Sequence, residues 1–192
     1  MSPFPPLTVF DVETTGLDPR RGHRIIEIAG VRVENGIIQE EHAFVSLVNP
    51  ERPIPPEAAQ INHIREEDVQ KAPTIDQVLP QFLSFASGSM LVAHNADFDM
   101  GFLLREKELC WGYVELPECL CTMRLSQAVY PHEFRHSLDV VSQRLGLELP
   151  KERHRALPDV VLTAKALLIM IQTGKITSVD QLREKASIRQ MV

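Results

Sequence analysis

Residues 24–48 read RIIEIAGVRVENGIIQEEHAFVSLV, and this stretch decides the fold class. β-Branched and aromatic residues recur through both halves, and Asn35-Gly36 stands between them. That dipeptide supplies the two positive-φ positions of a tight type I′ turn, so 24–33 and 37–48 are expected as paired strands. Upstream, TVFDVE at 8–13 has the same strand character and ends where Gly16 and Pro19 break the pattern. The chain is therefore expected to open on three strands as an antiparallel meander.

Downstream of Pro50, Pro53, Pro55 and Pro56 the periodicity changes. Helices are expected at 57–64, at 74–86 with Thr74 as N-cap, at 98–109, 123–129 and 137–145, and at 178–186. Met90 to Ala93 is wholly apolar, as a buried parallel strand should be, and 119–122 is expected as a fifth strand. The clearest helix is 158–173, with Pro158 in its first turn and Gly174 just past its end. Three strands followed by alternating helix and strand predict the α/β class. The expected core is a mixed five-stranded sheet, three antiparallel strands then two parallel, flanked by helices.

The chain has 192 residues, which suits a single domain. Its 44% hydrophobic and 24% charged residues exclude wholesale disorder and a fibrous protein. The apolar run ALLIMI at 166–171 falls short of the roughly 18 residues of a membrane span, so no membrane role is expected. The first residues, MSPFPP, lack the basic and apolar segments of a secretory signal. Three cysteines, Cys110, Cys119 and Cys121, are odd in number and wrongly spaced for zinc, which suits a reducing cytoplasm. A net charge of −6 argues against coating duplex nucleic acid by charge alone, but not against gripping one strand end through metal ions.

Asp11 and Glu13 lie two apart on the first strand, so both carboxylates face one side while Val12 faces the other. They could be two solvated charges on an edge strand. On an otherwise apolar strand, however, they are costly unless something positive binds them. HNADFD at 94–99 places Asp99 in a helix's first turn, with Asp97 expected as the N-cap. HRALPD at 154–159 places Asp159 at another helix start, with His154 just before it. Four carboxylates converging from three segments would repel one another, and divalent cations remove that cost. Oxygen-only donors suit Mg2+ or Mn2+. Two such ions about 3.5–4 Å apart clamp an in-line displacement at phosphorus, and a nearby His can take the water's proton.

These motifs resemble those of the DnaQ-like, DEDDh-type 3′–5′ exonucleases, the superfamily of the bacterial proofreading epsilon subunit. VFDVETTGL at 9–17 is similar to the first exonuclease motif, HNADFD at 94–99 to the second with Asp99 as the matching acid, and HRALPD at 154–159 to the third. HSLD at 136–139 also fits. The resemblance runs from about 7 to 174, leaving 175–192 as a short helical tail of one exonuclease domain. It implies an RNase H-like fold and a two-metal-ion site. One Mg2+ or Mn2+ would be held by Asp11, Glu13 and Asp159, and a second by Asp11 with Asp99 directly or through water. It implies His154 as general base and release of 5′-nucleoside monophosphates from a 3′ end. Thr14 would meet the terminal sugar, and Leu17 and Phe98, which could equally be plain core, would pack on the terminal bases.

Two positions depart from the family pattern. His-Gly-Ile is common near position 62, whereas this chain has INHI at 61–64. Asn62, or His63 by a one-residue shift, would then meet the terminal nucleotide. Cys121-Thr122 stands where Asp-Thr is common and touches no metal ligand. Single-stranded DNA is the expected substrate, with RNA as the alternative. The tail carries no flexible linker, which favours a free-standing enzyme over a subunit of a DNA polymerase. A catalytically dead binding module is disfavoured, because all four acids and the His are present. Arg20, Arg21, His23, Arg24, Arg153 and Arg155 are either phosphate contacts or charges balancing the acids.

Overall fold

The computed structural model describes residues 4–110, 114–151 and 154–188. Its centre is strand β1 (Leu7–Thr14), paired antiparallel with β2 (Ile25–Glu34). Asn35 and Gly36 link β2 to β3 (Ile37–Ile38) with φ of 53° and 77°, the left-handed pair that a type I′ turn requires. The expected strand 37–48 is broken. A 3-10 turn at Glu40–His42 interrupts it, and pairing with β2 resumes in β4 (Phe44–Leu47). Glu40, Glu41 and His42 are exposed, and three successive polar side chains cannot keep the in-out alternation of a half-buried strand. The sheet thus has six strands where five were expected, through division of the third.

On the other side of β1, β5 (Met90–Ala93) runs parallel to it, and β6 (Cys119–Cys121) runs parallel to β5. The order is β3-β2-β1-β5-β6, with β4 also on β2. The helices are α1 (Pro56–Asn62), α2 (Glu66–Val69), α3 (Ile75–Phe85), α4 (Ala96–Cys110), α5 (Thr122–Val129), α6 (Leu138–Arg144), α7 (Ala156–Thr173) and α8 (Val179–Ala186). α2 was not expected from the sequence. α7 begins two residues before the expected start, and α4 begins at Ala96. Asp97 therefore lies inside the first turn of α4 rather than capping it, and forms an ion pair with Arg124 at 2.8 Å.

The two faces of the sheet carry separate cores. Leu7, Val9, Ala29, Val31 and Val33 pack with Val160, Ala164 and Leu167 of α7. Phe10, Val12 and Ile28 face the opposite way, onto α3 and α4 through Leu79, Phe82 and Phe102. Period-two geometry extends the first set along β1 to Asp11 and Glu13, which therefore lie on the α7 side. Among the described residues α7 is the one helix long and apolar enough to cross a bilayer, and half of it is buried within the fold. The tail helix α8 buries Leu182 and Ala186, and Ser187 bridges to Leu120 of β6.

Candidate active site

The two core layers bring distant acids together at the C-terminal end of β1. Asp11, Glu13 and Asp159 each offer a carboxylate oxygen, and these atoms all lie within 4.8 Å of one another. Asp159 comes from the first turn of α7 and is only 7% exposed. Three carboxylates this close repel strongly in a half-buried site, so the donor set matches a hard divalent cation.

Asp99 reaches the same strand from the opposite face. β5 ends at Ala93, and its ladder with β1 runs only through Val9↔Val92. The N–H of Val12 therefore has no strand partner on that side, and the Asp99 carboxylate accepts it at 3.2 Å. Burial pushes Asp99 up to about 8 from an ordinary 3.8, and the Val12 N–H opposes that rise. Asp99 thus stands beside the trio through the residue between Asp11 and Glu13, not within the 4.8 Å group.

His154 is exposed and precedes α7 with a left-handed φ of 61°. It stands outside the carboxylate group. The next residue, Arg155, is tied to Glu27 of β2, with Nη2 and Nε donating to the two carboxylate oxygens at 2.6 and 3.1 Å. His94 directly follows β5. Its ring nitrogens contact Thr122 Oγ1 at 2.8 Å and the His136 carbonyl at 2.9 Å, which fixes the residues that lead into α6.

The turn after β1 is built tightly. The Thr14 hydroxyl donates to the Gly16 carbonyl at 2.7 Å, and Thr15 Oγ1 accepts the Arg24 N–H at 3.0 Å. The His23 ring covers Gly16 so closely that a Cβ there would sit 2.3 Å from His23 Cε1, so any larger residue would displace the ring. The turn holds Leu17 out into solvent at 84% exposure, which excludes a core role for it. Leu17, Pro19 and Arg20 face Phe98, Leu104 and Arg105 across a groove of about 610 Å³. Phe98 is half-buried against Phe102, with ring centroids 5.1 Å apart. The structure thus brings Leu17 and Phe98 to one groove.

Asn62 and His63 diverge. Asn62 is 2% exposed; its amide donates to the Thr14 carbonyl at 3.3 Å and accepts the Ile64 N–H at 3.0 Å. It supports the Thr14 turn from behind, whereas His63 is exposed at the left-handed cap of α1. Arg24 and Arg155 turn inward onto buried acids, whereas Arg20 pairs with a neighbour at the surface. Arg24 is held by the buried carboxylate of Glu106 at 2.9 Å, Arg155 by Glu27, and Arg20 by Asp18 at 3.0 Å. Arg153 lies outside the described residues. Glu27 and Glu106 were not among the expected site residues. The available signal for Glu27 was a lone acid in the apolar run IIEIA at 25–29.

Carboxylates from the central strand and from the start of α7 gather on one face of an RNase H-like sheet, the donor set of a metal-dependent nuclease domain. The chain belongs to the exonuclease family: the RNase T exonuclease model matches residues 8–167. It is 46% identical over 168 residues to a DNA polymerase III subunit epsilon-like protein of Rhodobacter capsulatus, covering 87% of this chain and 24% of that protein. It is 35% identical over 167 residues to the DNA polymerase III subunit epsilon of Rickettsia typhi, covering 84% of this chain and 72% of that one. Exonuclease X, solved in complex with 5′ overhanging duplex DNA, is 32% identical with a TM-score of 0.73 over 93% of this chain and 98% of its own. The nuclease domain of 3′hExo, a DEDDh family member bound to rAMP, shares the fold at 20% identity and a TM-score of 0.77, over 89% of this chain and 94% of its own. The chain spans about a quarter of the length of the Rhodobacter relative. Membership of this family implies divalent metal use, which the acidic trio fits.

Proposed function

We propose that this chain is a free-standing 3′–5′ exonuclease that releases 5′-nucleoside monophosphates from single-stranded DNA, working in the cytoplasm. The observation that carries the reading is the meeting of Asp11, Glu13 and Asp159 within 4.8 Å. Those three would hold one Mg2+ or Mn2+, and Asp11 with Asp99 a second. When bound, the ions supply charge stabilisation at phosphorus and make the attacking water more acidic. The chain's own residues do the rest. His154, exposed at the lip of α7, takes the proton of that water. Leu17 and Phe98 grip the terminal bases by apolar contact, which tolerates any base. Thr14 meets the terminal sugar through its backbone. Its hydroxyl is already bonded to Gly16, and the Asn62 amide steadies this peptide by donating to its carbonyl. Of the two residues near position 62, His63 is the one open to a nucleotide.

The likeness to Exonuclease X in complex with DNA favours DNA over RNA. A second reading, a proofreading subunit acting with a DNA polymerase, is favoured by the relatives named for subunit epsilon. One assay separates these. It uses 5′-labelled single-stranded DNA and the matching RNA with Mg2+, Mn2+ or EDTA, and Asp11→Ala as control. A metal-dependent ladder shortening from the 3′ end, faster on DNA and lost in the variant, supports the first reading. A ladder mainly on RNA moves the substrate to RNA. No ladder without an added polymerase favours the second reading.

A further inference from the structure

We infer that Glu27 is a positioning residue for the third motif, fixing Asp159 against Asp11 and Glu13, and His154 at the entry to α7, through Arg155 and the first residue of α7. The inference rests on the proposed roles of His154 and Asp159. It starts from burial. Glu27 is 1% exposed on a central strand, and a carboxylate there is stable only when fully paired and hydrogen-bonded.

Its partners all come from the start of α7. The Arg155 fork donates to both oxygens, and the Ala156 N–H donates to Oε2 at 2.9 Å. The first N–H groups of a helix have no partner within the helix, and an anion there also meets the positive end of its dipole. Arg155 at the N-cap position makes no side-chain cap bond. Glu27 therefore caps α7 from another element. This explains why the helix starts two residues before Pro158.

The register makes this clamp relevant to the site. Glu27 is the cross-strand partner of Glu13, and Ala29 that of Asp11. Directly opposed residues share a face, so Glu27 points to the α7 side beside Glu13. Two acids so placed would repel, and Arg155 offsets one of them. Asp159 lies three residues beyond the clamped Ala156, in the same turn. His154 lies one residue before Arg155 in a left-handed conformation uncommon for a non-glycine residue. One carboxylate thus fixes both ends of the motif relative to the strand that carries the other ligands.

The test compares two buried acids of like chemistry. Glu106 is also 1% exposed, and also binds one arginine and one backbone N–H, those of Arg24 and Ile25, but it does not touch the third motif. Glu27→Gln, Glu27→Ala, Glu106→Gln and Arg155→Lys are made in the full chain. The kcat and KM on a labelled single-stranded oligonucleotide, Mn2+ affinity by calorimetry and Tm are measured for each, well below every Tm. Loss of an outer partner of a metal ligand typically lowers metal affinity or activity about 10–100-fold. Glu27→Gln should lower kcat and Mn2+ affinity in that range with KM within about threefold. Glu27→Ala should be worse, because Gln still accepts the Ala156 N–H. Glu106→Gln should lower Tm while leaving kcat and Mn2+ affinity near wild type. Should the Glu27 variants fail to fold, Arg155→Lys, which keeps the charge and loses the fork, still carries the prediction of a lower kcat. Wild-type kcat and Mn2+ affinity in folded Glu27→Gln and Arg155→Lys would overturn the inference alone. A wild-type chain that neither binds Mn2+ nor cuts nucleic acid would overturn the functional reading and this inference with it.

Discussion

The carboxylate of Asp99, at the start of α4, accepts the backbone N–H of Val12, near the C-terminal end of β1, at 3.2 Å. This bond ties the second motif to the strand position between Asp11 and Glu13, so a shift of α4 is felt at the acidic trio. It also sets a pH dependence. Burial raises Asp99 to about 8, so between 3.8 and 8 the native chain keeps a proton that the unfolded chain has lost. The stability linked to this group is whole below about 3.8 and is lost as pH rises through 8. Metal-free Tm should therefore fall between pH 5 and 8.5. Asp99→Asn, which keeps an acceptor for Val12, should remove that slope and still lower turnover about 100-fold, the effect of losing about 3 kcal/mol of charge stabilisation. Thermal melts across pH with EDTA check the first half, and an unchanged slope in the variant would falsify the assignment.

Asp11 is central to the trio, and its removal relieves repulsion while deleting a ligand. Asp11→Asn should lower turnover roughly a thousandfold, for a loss of about 4 kcal/mol. The metal-free protein should melt no lower than wild type. The two measurements separate a ligand from a structural acid, which would lose stability when removed.

Leu17 is 84% exposed, so truncating it costs the fold little. Leu17→Ala should leave stability within about 0.5 kcal/mol of wild type. Its KM for single-stranded DNA should rise roughly fivefold, for about 1 kcal/mol of lost apolar contact. Steady-state kinetics beside urea denaturation would test this, and an unaltered KM counts against the groove as the base site.

Arg24 and Glu106 form a shielded pair, 18% and 1% exposed. Removing one partner strands the other, which typically costs about 3–5 kcal/mol. Arg24→Ala should therefore lower the urea midpoint markedly. If Arg24 were instead a phosphate contact, the variant would change the salt dependence of DNA binding and leave the midpoint alone.

The cysteines should differ in reactivity. Burial raises the Cys119 thiol well above its ordinary value of 9.0, and Cys121 is fully buried, whereas Cys110 is partly exposed with a thiol raised less. Iodoacetamide at pH 8 should label Cys110 alone, slowly, until the chain unfolds. Mass spectrometry of the native protein reads this directly, and early labelling at Cys119 would contradict the packing of β6.

Much of this architecture was legible along the chain. Asn35-Gly36 announced its turn because a type I′ geometry accepts few other residues. Asp11 and Glu13 could be put on one face from strand periodicity alone, and Asp99 and Asp159 in first turns from helix-start signals. The third strand was misjudged at Glu40–His42, where three exposed polar residues turn the chain inside a run otherwise typical of a strand. Asp97 was misjudged because α4 opens at Ala96, two residues before the expected start, and its ion pair with Arg124 depends on a helix 27 residues away in sequence.

The sequence by itself determined most of the local conformations, the class of the fold and the candidate acids, because each depends largely on spacing within one segment. The tertiary structure alone decided which of those acids meet. Asp11, Glu13 and Asp159 converge because α7 packs on one face of β1, while Asp99 arrives from the other face at the N–H left open where β5 ends. It also decided that Asn62, Arg24 and Arg155 bond inward rather than toward a substrate. Those outcomes turn on contacts between residues tens of positions apart, and local periodicity carries no record of them.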